Sequence, residues 1–362
     1  MFDRSPARSR RNVLFIPDWR SGNPYQNLLA DGLRQVGLEV EFANPSGRPF
    51  NLNELANKHS RLGVIHVHWT QGLLRHIYWS GSSWIKRVKL LFFALDILVC
   101  RARGIAVVWT VHNLVEHESS DPQTEISARR ILVRFGNAVI CHSREAIDTI
   151  LSCYRLPELD KIKAIPHGNY LNSYSEDPRI TQRFHNKFQV ENENIVLLFF
   201  GGIRRYKGLG VLVEAFKDVD DARQRLLIAG KPFENDIEEW LTGVSASDPR
   251  IRLSLGFVPD EQVASFFRIA DVVVLPFQAT LTSGSVILAM GFGKCLVLPE
   301  EARVLGLPGD EGALYYKDLE SLCTLLRDMS QDRLAEMGAY NREVAESLDW
   351  TEIARSTAET YA

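Results

Sequence analysis

The chain has 362 residues, 45% of them hydrophobic and 24% charged, with a formal net charge of −3. That length exceeds what one hydrophobic core usually serves, so two domains are expected, and the composition is that of a soluble globular protein. Five widely spaced cysteines (Cys100, Cys141, Cys153, Cys295, Cys323) without a C-x-x-C pair argue against a disulfide framework or a zinc site and for reduced thiols in a cytoplasmic protein.

The charge is unevenly spread. Up to Pro178 there are 22 Lys+Arg against 17 Asp+Glu and beyond it 20 against 28, so the halves carry about +5 and −8. A basic first half suits an anionic surface or acceptor. No nucleic-acid-binding motif is present and the pI near 6.3 is mildly acidic, so nucleic acid is not an expected partner. Met1 to Arg11 is basic but lacks the apolar core of a signal peptide and reads as a disordered tail. The longest apolar stretch, Leu90 to Cys100, is broken by Asp96 and falls well short of the ~20 residues of a spanning helix.

In chain order, Val13 to Ile16 predicts a buried strand, Ser21-Gly22-Asn23-Pro24 a loop, and Tyr25 to Val36 a helix closed by Gly37. This is the opening of a βα unit in a parallel sheet, where ligands gather at the carboxyl ends of strands. Asp18, Trp19, Asn23 and Tyr25 stand at such an end, either as site residues or as a capping loop. Val64 to Trp69 is a second strand whose His66 and His68 share a face; without a third ligand at convincing spacing, hydrogen-bonded structural histidines are the expectation and no metal is assigned. Trp79 to Arg103 mixes Trp79, Trp84, Leu91, Phe92 and Leu98 with Lys86, Arg87, Lys89, Arg101 and Arg103. It suits a helix resting on an anionic membrane surface, or else one covering the sheet.

Ile105 to Thr110 is a third strand, followed by Val111-His112-Asn113-Leu114-Val115-Glu116-His117-Glu118, the densest acid/base cluster in the sequence. Ala138 to Cys141 and Ala164 to Pro166 are further strands, ending in His142-Ser143 and His167-Gly168-Asn169-Tyr170. From Asn172 to Asn194 the periodicity thins into a linker with a short helix, and then a fresh βαβ series begins.

Ile195 to Phe200 runs into Gly201-Gly202-Ile203-Arg204-Arg205-Tyr206-Lys207-Gly208. Glycines allow close approach of backbone to ligand, a helix start leaves N–H groups free, and three cations add charge, so the stretch reads as an anion site or as a solvated turn. A helix at Leu209 to Phe216, strands at Leu226 to Ala229 and Ile251 to Leu255, and a helix Glu261 to Ile269 capped by Asp260 follow. Val272 to Pro276 is a buried parallel-type strand, and Thr280-Leu281-Thr282-Ser283-Gly284-Ser285 opens a helix at Val286 to Phe292 as a second anion cradle. A strand at Leu296 to Pro299, a helix at Leu319 to Met329 and a last helix interrupted near Asp349-Trp350-Thr351 end the chain. The pattern is α/β, with two Rossmann-like domains facing a cleft: residues 1–175, residues 190–345, and a terminal helix at 346–362 for which a return to the first domain is one option.

Gly201-Gly202 to Lys207-Gly208, Gly256-Phe257-Val258-Pro259-Asp260 and Ala270-Asp271-Val272 to Pro276, followed by a glycine-started helix, together resemble the GT-B glycosyltransferases of the retaining family 4 type. Asn23-Pro24-Tyr25, His66-Val67-His68-Trp69, Thr110-Val111-His112-Asn113-Leu114 with His117-Glu118, His167-Gly168-Asn169-Tyr170 and Ser283-Gly284 resemble the xanthan-type β-1,4-mannosyltransferases. Those enzymes move mannose from GDP-mannose to a lipid-linked oligosaccharide in polysaccharide synthesis. The resemblance implies a diphosphate clamp of Lys207 with Arg204 or Arg205, further donor contacts from Ser283, Gly284 and Ser285, and no cofactor or metal beyond the nucleotide-sugar itself. It also implies a cleft holding Asn23, Tyr25, His68, Trp69, His117, His167, Gly168, Tyr170, Gly202 and Thr282, and a peripheral enzyme on the inner face of the membrane. The family 4 frame places two glutamates where this chain has Thr280 and Leu288. That departure favours inversion, with Glu118 as the base and His112 and Asp18 as alternatives; His112 has donor-sugar contact as a second option. The competing readings are a transferase using a UDP-sugar and a non-catalytic nucleotide-sugar-binding protein that assists a partner transferase.

Overall fold

The computed structural model describes residues 12–79, 81–116, 119–277 and 280–362. The basic tail 1–11 and the pair His117–Glu118 lie outside them. The elements run β1 Asn12–Ile16, α1 Tyr25–Gln35, β2 Glu39–Phe42, α2 Asn51–Lys58, β3 Leu62–Val67, α3 Gln71–Tyr78, α4 Ser83–Ala102, β4 Ala106–Thr110, α5 Pro122–Phe135, β5 Ala138–Cys141, α6 Glu145–Tyr154 and β6 Ile162–Ala164. They continue as α7 Pro178–Phe188, β7 Ile195–Phe200, α8 Leu209–Asp218, β8 Gln224–Gly230, α9 Asn235–Ser247, β9 Ile251–Leu255, α10 Asp260–Arg268, β10 Val272–Val274, α11 Gly284–Gly291, β11 Cys295–Pro299, β12 Ala313–Tyr316, α12 Leu319–Arg327, α13 Gln331–Ser347 and α14 Trp350–Glu359.

Contacts divide the chain into two compact units, Met1–Gly168 with Asp349–Ala362, and Asn169–Leu348. In the first unit the described strands form a parallel sheet in the order β2-β1-β3-β4-β5-β6; in the second the order is β12-β11-β10-β7-β8-β9. Central strands such as β7 and β10 are apolar runs because helices cover both faces of a parallel sheet. The strand order reverses at β1/β3 in one sheet and at β7/β10 in the other. Those two switch points are where ligands collect in open α/β sheets.

Several elements depart from the expectation. The edge strands β2 and β12, of four residues each, and the helices α2 and α3, of eight each, are too short to be told from loops in the chain. Within the stretch from Trp79 to Arg103 the helix, α4, starts only at Ser83, and Trp79 lies before it, just past the end of α3. Asp260 is the first residue of α10, preceded by Pro259, so its carboxylate acts on the helix dipole and not as an N-cap. The helix in the supposed linker, α7, packs Phe184 and Phe188 against Phe266 of α10.

α14 belongs to the first unit, where it packs on α1. A Cβ on Gly32 would lie 2.8 Å from the Trp350 carbonyl oxygen, and one on Gly168 would lie 2.3 Å from the Trp350 indole. These two positions lack side chains because Trp350 fills the space. Beyond α14, the Tyr361 hydroxyl bonds His66 Nδ1 at 2.7 Å.

Asp96, the residue that breaks the long apolar stretch, is buried in α4 and caps a neighbouring helix. Its two carboxylate oxygens accept from the Leu52 and Asn53 N–H groups at 2.8 and 3.0 Å, and the Asn53 amide adds a bond at 2.6 Å. α2 begins after Phe50, which offers no side-chain cap, so Asp96 serves the orphaned donors from outside the helix. Replacing Asp96 by Ala leaves those donors buried and unmatched. We expect a loss of about 1–3 kcal/mol in urea unfolding, with Asp96→Asn losing less; equal stability of all three proteins would refute the capping role.

Candidate active site

At the switch point of the first sheet, the carboxyl ends of β1, β3, β4, β5 and β6 deliver an aromatic and imidazole cluster. Gln26 pins the β1–α1 loop by donating to the Pro17 carbonyl and accepting from the Trp19 N–H, both at 2.8 Å. Asn23 Oδ1 accepts from the Tyr25 N–H at 2.8 Å and so starts α1 as an Asx turn. Tyr25 is buried, with ring centroids of His112 and His167 at 5.2 and 4.8 Å and that of Trp350 at 5.6 Å. A second run of rings stacks Trp19 on Trp69 at 4.7 Å and Trp69 on His112 at 4.7 Å, and Trp19 faces solvent.

His66 and His68 do share a face, stacked at 4.1 Å. His66 is held by Tyr361 and by Thr110 Oγ1 at 2.7 Å, whereas neither ring nitrogen of His68 has a hydrogen-bond partner among the described residues. No group of three or more His, Cys, Asp or Glu among the described residues is arranged to hold a metal ion. Burial is the main cause that lowers the pKa of His66 to about 3, of His142 to about 4 and of His167 to about 3, and it takes His68 and His112 well below the ordinary value. These rings are neutral hydrogen-bonding and stacking groups at physiological pH.

Asp18 stands apart from this cluster. Its carboxylate makes a fork with Arg20 at 2.8 and 2.9 Å, and that hydrogen-bonded guanidinium holds its pKa below the usual range, which weakens it as a base. His112 is packed among rings and neutral. Among the described residues a carboxylate that reaches this region is Glu116, which the sequence analysis placed in the acid/base cluster after β4 without singling it out as the base. It lines a small cavity with His68, Trp69, Thr70, His112 and Asn113.

In the second unit, β7 ends at a turn where Gly201 (φ 122°) and Gly230 (φ 148°) meet backbone to backbone, a Cβ on Gly230 falling 1.8 Å from the Gly201 carbonyl oxygen. A short 3₁₀ turn at Arg205–Lys207 follows. The ideal Cβ position of Gly201 lies 3.6 Å from Lys207 Nζ and 3.8 Å from Ser285 Oγ, so the ammonium and the hydroxyl converge on one bare stretch of backbone. Burial, and secondarily Arg204, lower the Lys207 pKa, the mark of a cation held partly out of water.

Ser283 caps α11, accepting from the Val286 N–H at 3.3 Å, and Tyr170 packs its hydroxyl end against Gly284. Thr282 lends its carbonyl to the Thr280 hydroxyl at 2.6 Å. The two arginines separate in role. Arg204 lies over the Phe233 ring at 3.8 Å, and that same ring crowds Gly202. Arg205 is exposed and ion-paired with Asp236 of α9. Arg204 is therefore the arginine that neighbours Lys207. Leu288, one of the two positions where a glutamate was expected, is buried in α11.

Sequence reasoning missed Trp350, Phe233 and Tyr78 as site neighbours, and it placed His142 at a strand end and Glu116 in the acid/base cluster without giving either a role. The buried imidazoles make a stability prediction with a definite sign. The unfolded chain binds protons near pH 6.5 that folded His66, His142 and His167 refuse until about pH 3 to 4, so stability rises with pH across that window and is lost on acidification. Denaturant unfolding at about pH 7 and about pH 5 should differ by on the order of 1 kcal/mol per histidine and pH unit; a flat profile would show that the rings take up protons in place.

The Glycosyltransferase Family 4 model matches residues 25–170, and the Glycosyl transferases group 1 model matches residues 194–332. The chain is 28% identical, over 99% of its length and 94% of the relative's, to GDP-mannose:glycolipid 4-beta-D-mannosyltransferase of Xanthomonas campestris pv. campestris. It is 27% identical, over 68% of its length and 58% of the relative's, to D-inositol 3-phosphate glycosyltransferase of Corynebacterium kroppenstedtii. Among solved structures, HepE of Anabaena in complex with UDP superposes with a TM-score of 0.71 at 15% identity, covering 97% of this chain and 99% of that one. Sucrose-phosphate synthase of Thermosynechococcus elongatus does so with a TM-score of 0.73 at 16% identity, covering 98% of each chain. With two such sheets, a Glycosyltransferase Family 4 match in the first unit and a Glycosyl transferases group 1 match in the second, the chain is a GT-B glycosyltransferase.

Proposed function

We propose that this glycosyltransferase moves mannose from GDP-mannose to the sugar of a lipid-linked oligosaccharide, as a step of exopolysaccharide or glycolipid synthesis on the cytoplasmic face of a membrane. The observation that carries this reading is the 28% identity to the GDP-mannose:glycolipid enzyme, which runs through both units. The donor belongs to the second unit. Lys207 and Ser285, the latter in the first turn of α11, converge on the bare backbone at Gly201, an arrangement suited to a diphosphate that gains charge as it leaves. In this reading Lys207 supplies the cation, and the reaction is an inverting single displacement that needs no metal ion.

The acceptor belongs to the first unit. Stacked Trp19 and Trp69 offer a flat, partly exposed aromatic face on which a sugar ring can rest. Its lipid is matched by α4, which is apolar on two sides. Phe93, Ile97 and Cys100 are buried, while Trp84, Leu91, Leu95 and Leu98 form an exposed stripe at helical spacing, with Trp79 exposed just before the helix. Arg87 is exposed beside that stripe, whereas Lys86 is tied to Asp121 at 2.5 Å and Lys89 to the His76 carbonyl at 2.7 Å. Among the described residues no helix is long and apolar enough to cross a membrane, and interfacial binding through this stripe is the form of attachment we propose.

Two measurements test these assignments. GDP-mannose should raise the midpoint of thermal unfolding more than UDP-glucose does, and Lys207→Ala should cost about 1.5–3 kcal/mol of binding, or about 10- to 150-fold in affinity. No stabilisation by GDP-mannose would remove it as the donor. Serine at Trp84, Leu91 and Leu95 together should lower co-sedimentation with anionic vesicles at least about tenfold, since each buried apolar side chain contributes roughly 1.5–3 kcal/mol; undiminished binding would sink the role of α4.

A further inference from the structure

The loop after β4 is held unusually firmly for a surface connection. Arg129 of α5 donates to the Asn113 carbonyl and pairs with Glu125 at 2.5 Å, with both side chains buried. Glu125 also accepts from the Glu116 N–H at 2.9 Å, and the Tyr154 hydroxyl donates to the Leu114 carbonyl at 2.8 Å. The result is a fixed position for the Glu116 side chain, whose Oε1 accepts from the Tyr78 hydroxyl of α3 at 2.9 Å.

Glu116 borders a cavity of about 20 Å³, room for a single hydroxyl group and too small for a sugar ring. The same cavity is lined by buried polar side chains that have atoms without a hydrogen-bond partner among the described residues: Thr70 Oγ1, both ring nitrogens of His68, and His112 Nε2. A buried polar atom left unmatched is destabilising, and a ligand that brings one oxygen to this place can satisfy such atoms. The cavity therefore has the size, the polar lining and the carboxylate that an acceptor hydroxyl requires.

We propose that this cavity receives the acceptor hydroxyl and that Glu116 is the base that removes its proton, with Tyr78 setting its strength and Arg129 its position. The proposal deepens the transferase reading and rests on it. In the step, the acceptor O–H bond breaks and its proton passes to the Glu116 carboxylate. The oxygen's electron pair forms the new bond to the anomeric carbon, and the old bond from that carbon to the diphosphate breaks, its electron pair departing on the diphosphate. Burial pushes the Glu116 pKa up, the Tyr78 hydroxyl pulls it back, Glu125 raises it, and Arg129 and Arg75 lower it. A carboxylate moved upward from its ordinary range is a stronger base near neutral pH.

The test is transfer to a lipid-linked acceptor, assayed with GDP-mannose and with other nucleotide sugars, for wild type, Glu116→Gln, Glu116→Asp and Tyr78→Phe. Glu116→Gln should lower kcat by about 10²–10⁴ with little change in donor KM, and Glu116→Asp should restore part of the loss. Tyr78→Phe removes a donor that stabilises the charged carboxylate, so the acidic limb of the kcat/KM profile should move to higher pH. Activity of Glu116→Gln within about threefold of wild type, or an unmoved limb in Tyr78→Phe, overturns the proposal while leaving the transferase reading intact. Wild-type transfer from a donor other than GDP-mannose overturns the mannosyl assignment alone, and the Glu116 comparison is then read with that donor. No transfer from any nucleotide sugar overturns both.

Discussion

Desolvation of ionisable groups at the carboxyl edges of two parallel sheets is the physical constraint on which the functional parts of this molecule depend. In the first unit it keeps five imidazoles neutral, so that they stack and accept or donate hydrogen bonds without repelling one another. The same burial raises the Glu116 carboxyl and, in the second unit, lowers the Lys207 ammonium. Each of these groups is shifted toward its neutral form, and each is thereby made more responsive to a ligand that brings charge or a proton.

The constraint has to be met by backbone as well as by side chains. Sites at strand ends need sharp turns with little between the chain and its ligand, and Gly201 and Gly230 supply one such turn by touching through main-chain atoms alone. Buried acceptors and donors must also be matched. Asp96 shows how far the fold goes to do so, placing a carboxylate inside the apolar stretch of α4 in order to serve the first turn of another helix. The exposed stripe of α4 is the counterpart, an apolar surface that the rest of the first unit leaves uncovered.

Much of this was legible in the chain. Apolar runs such as Val272–Val274 and Ile195–Phe200 announce buried parallel strands, and the residues just past them, Gly201 to Gly208, His68-Trp69 and His112, are forced by strand geometry to the ligand-binding edge. The edge strands β2 and β12 escaped notice because four residues are too few to show a pattern, β2 being only partly buried and β12 mostly buried. Roles that depend on distant partners were equally hidden. Glu116 and Tyr78 meet from 38 residues apart, and His66 and Tyr361 from 295. Arg204 and Arg205, adjacent and chemically alike, part company only because Phe233 and Asp236 lie where they do. No spacing rule separates such neighbours.

The return of α14 to the first unit has a consequence for how the protein is made. Trp350 fills the space left by Gly32 and Gly168, and Tyr361 closes the bond to His66, so the packing of the first sheet is finished by residues made after the whole second unit. Throughout synthesis of the second unit the half made first waits with an open seam beside α1 and with His66 lacking its Tyr361 partner. The second unit, begun later, is therefore the first of the two to have all its residues present.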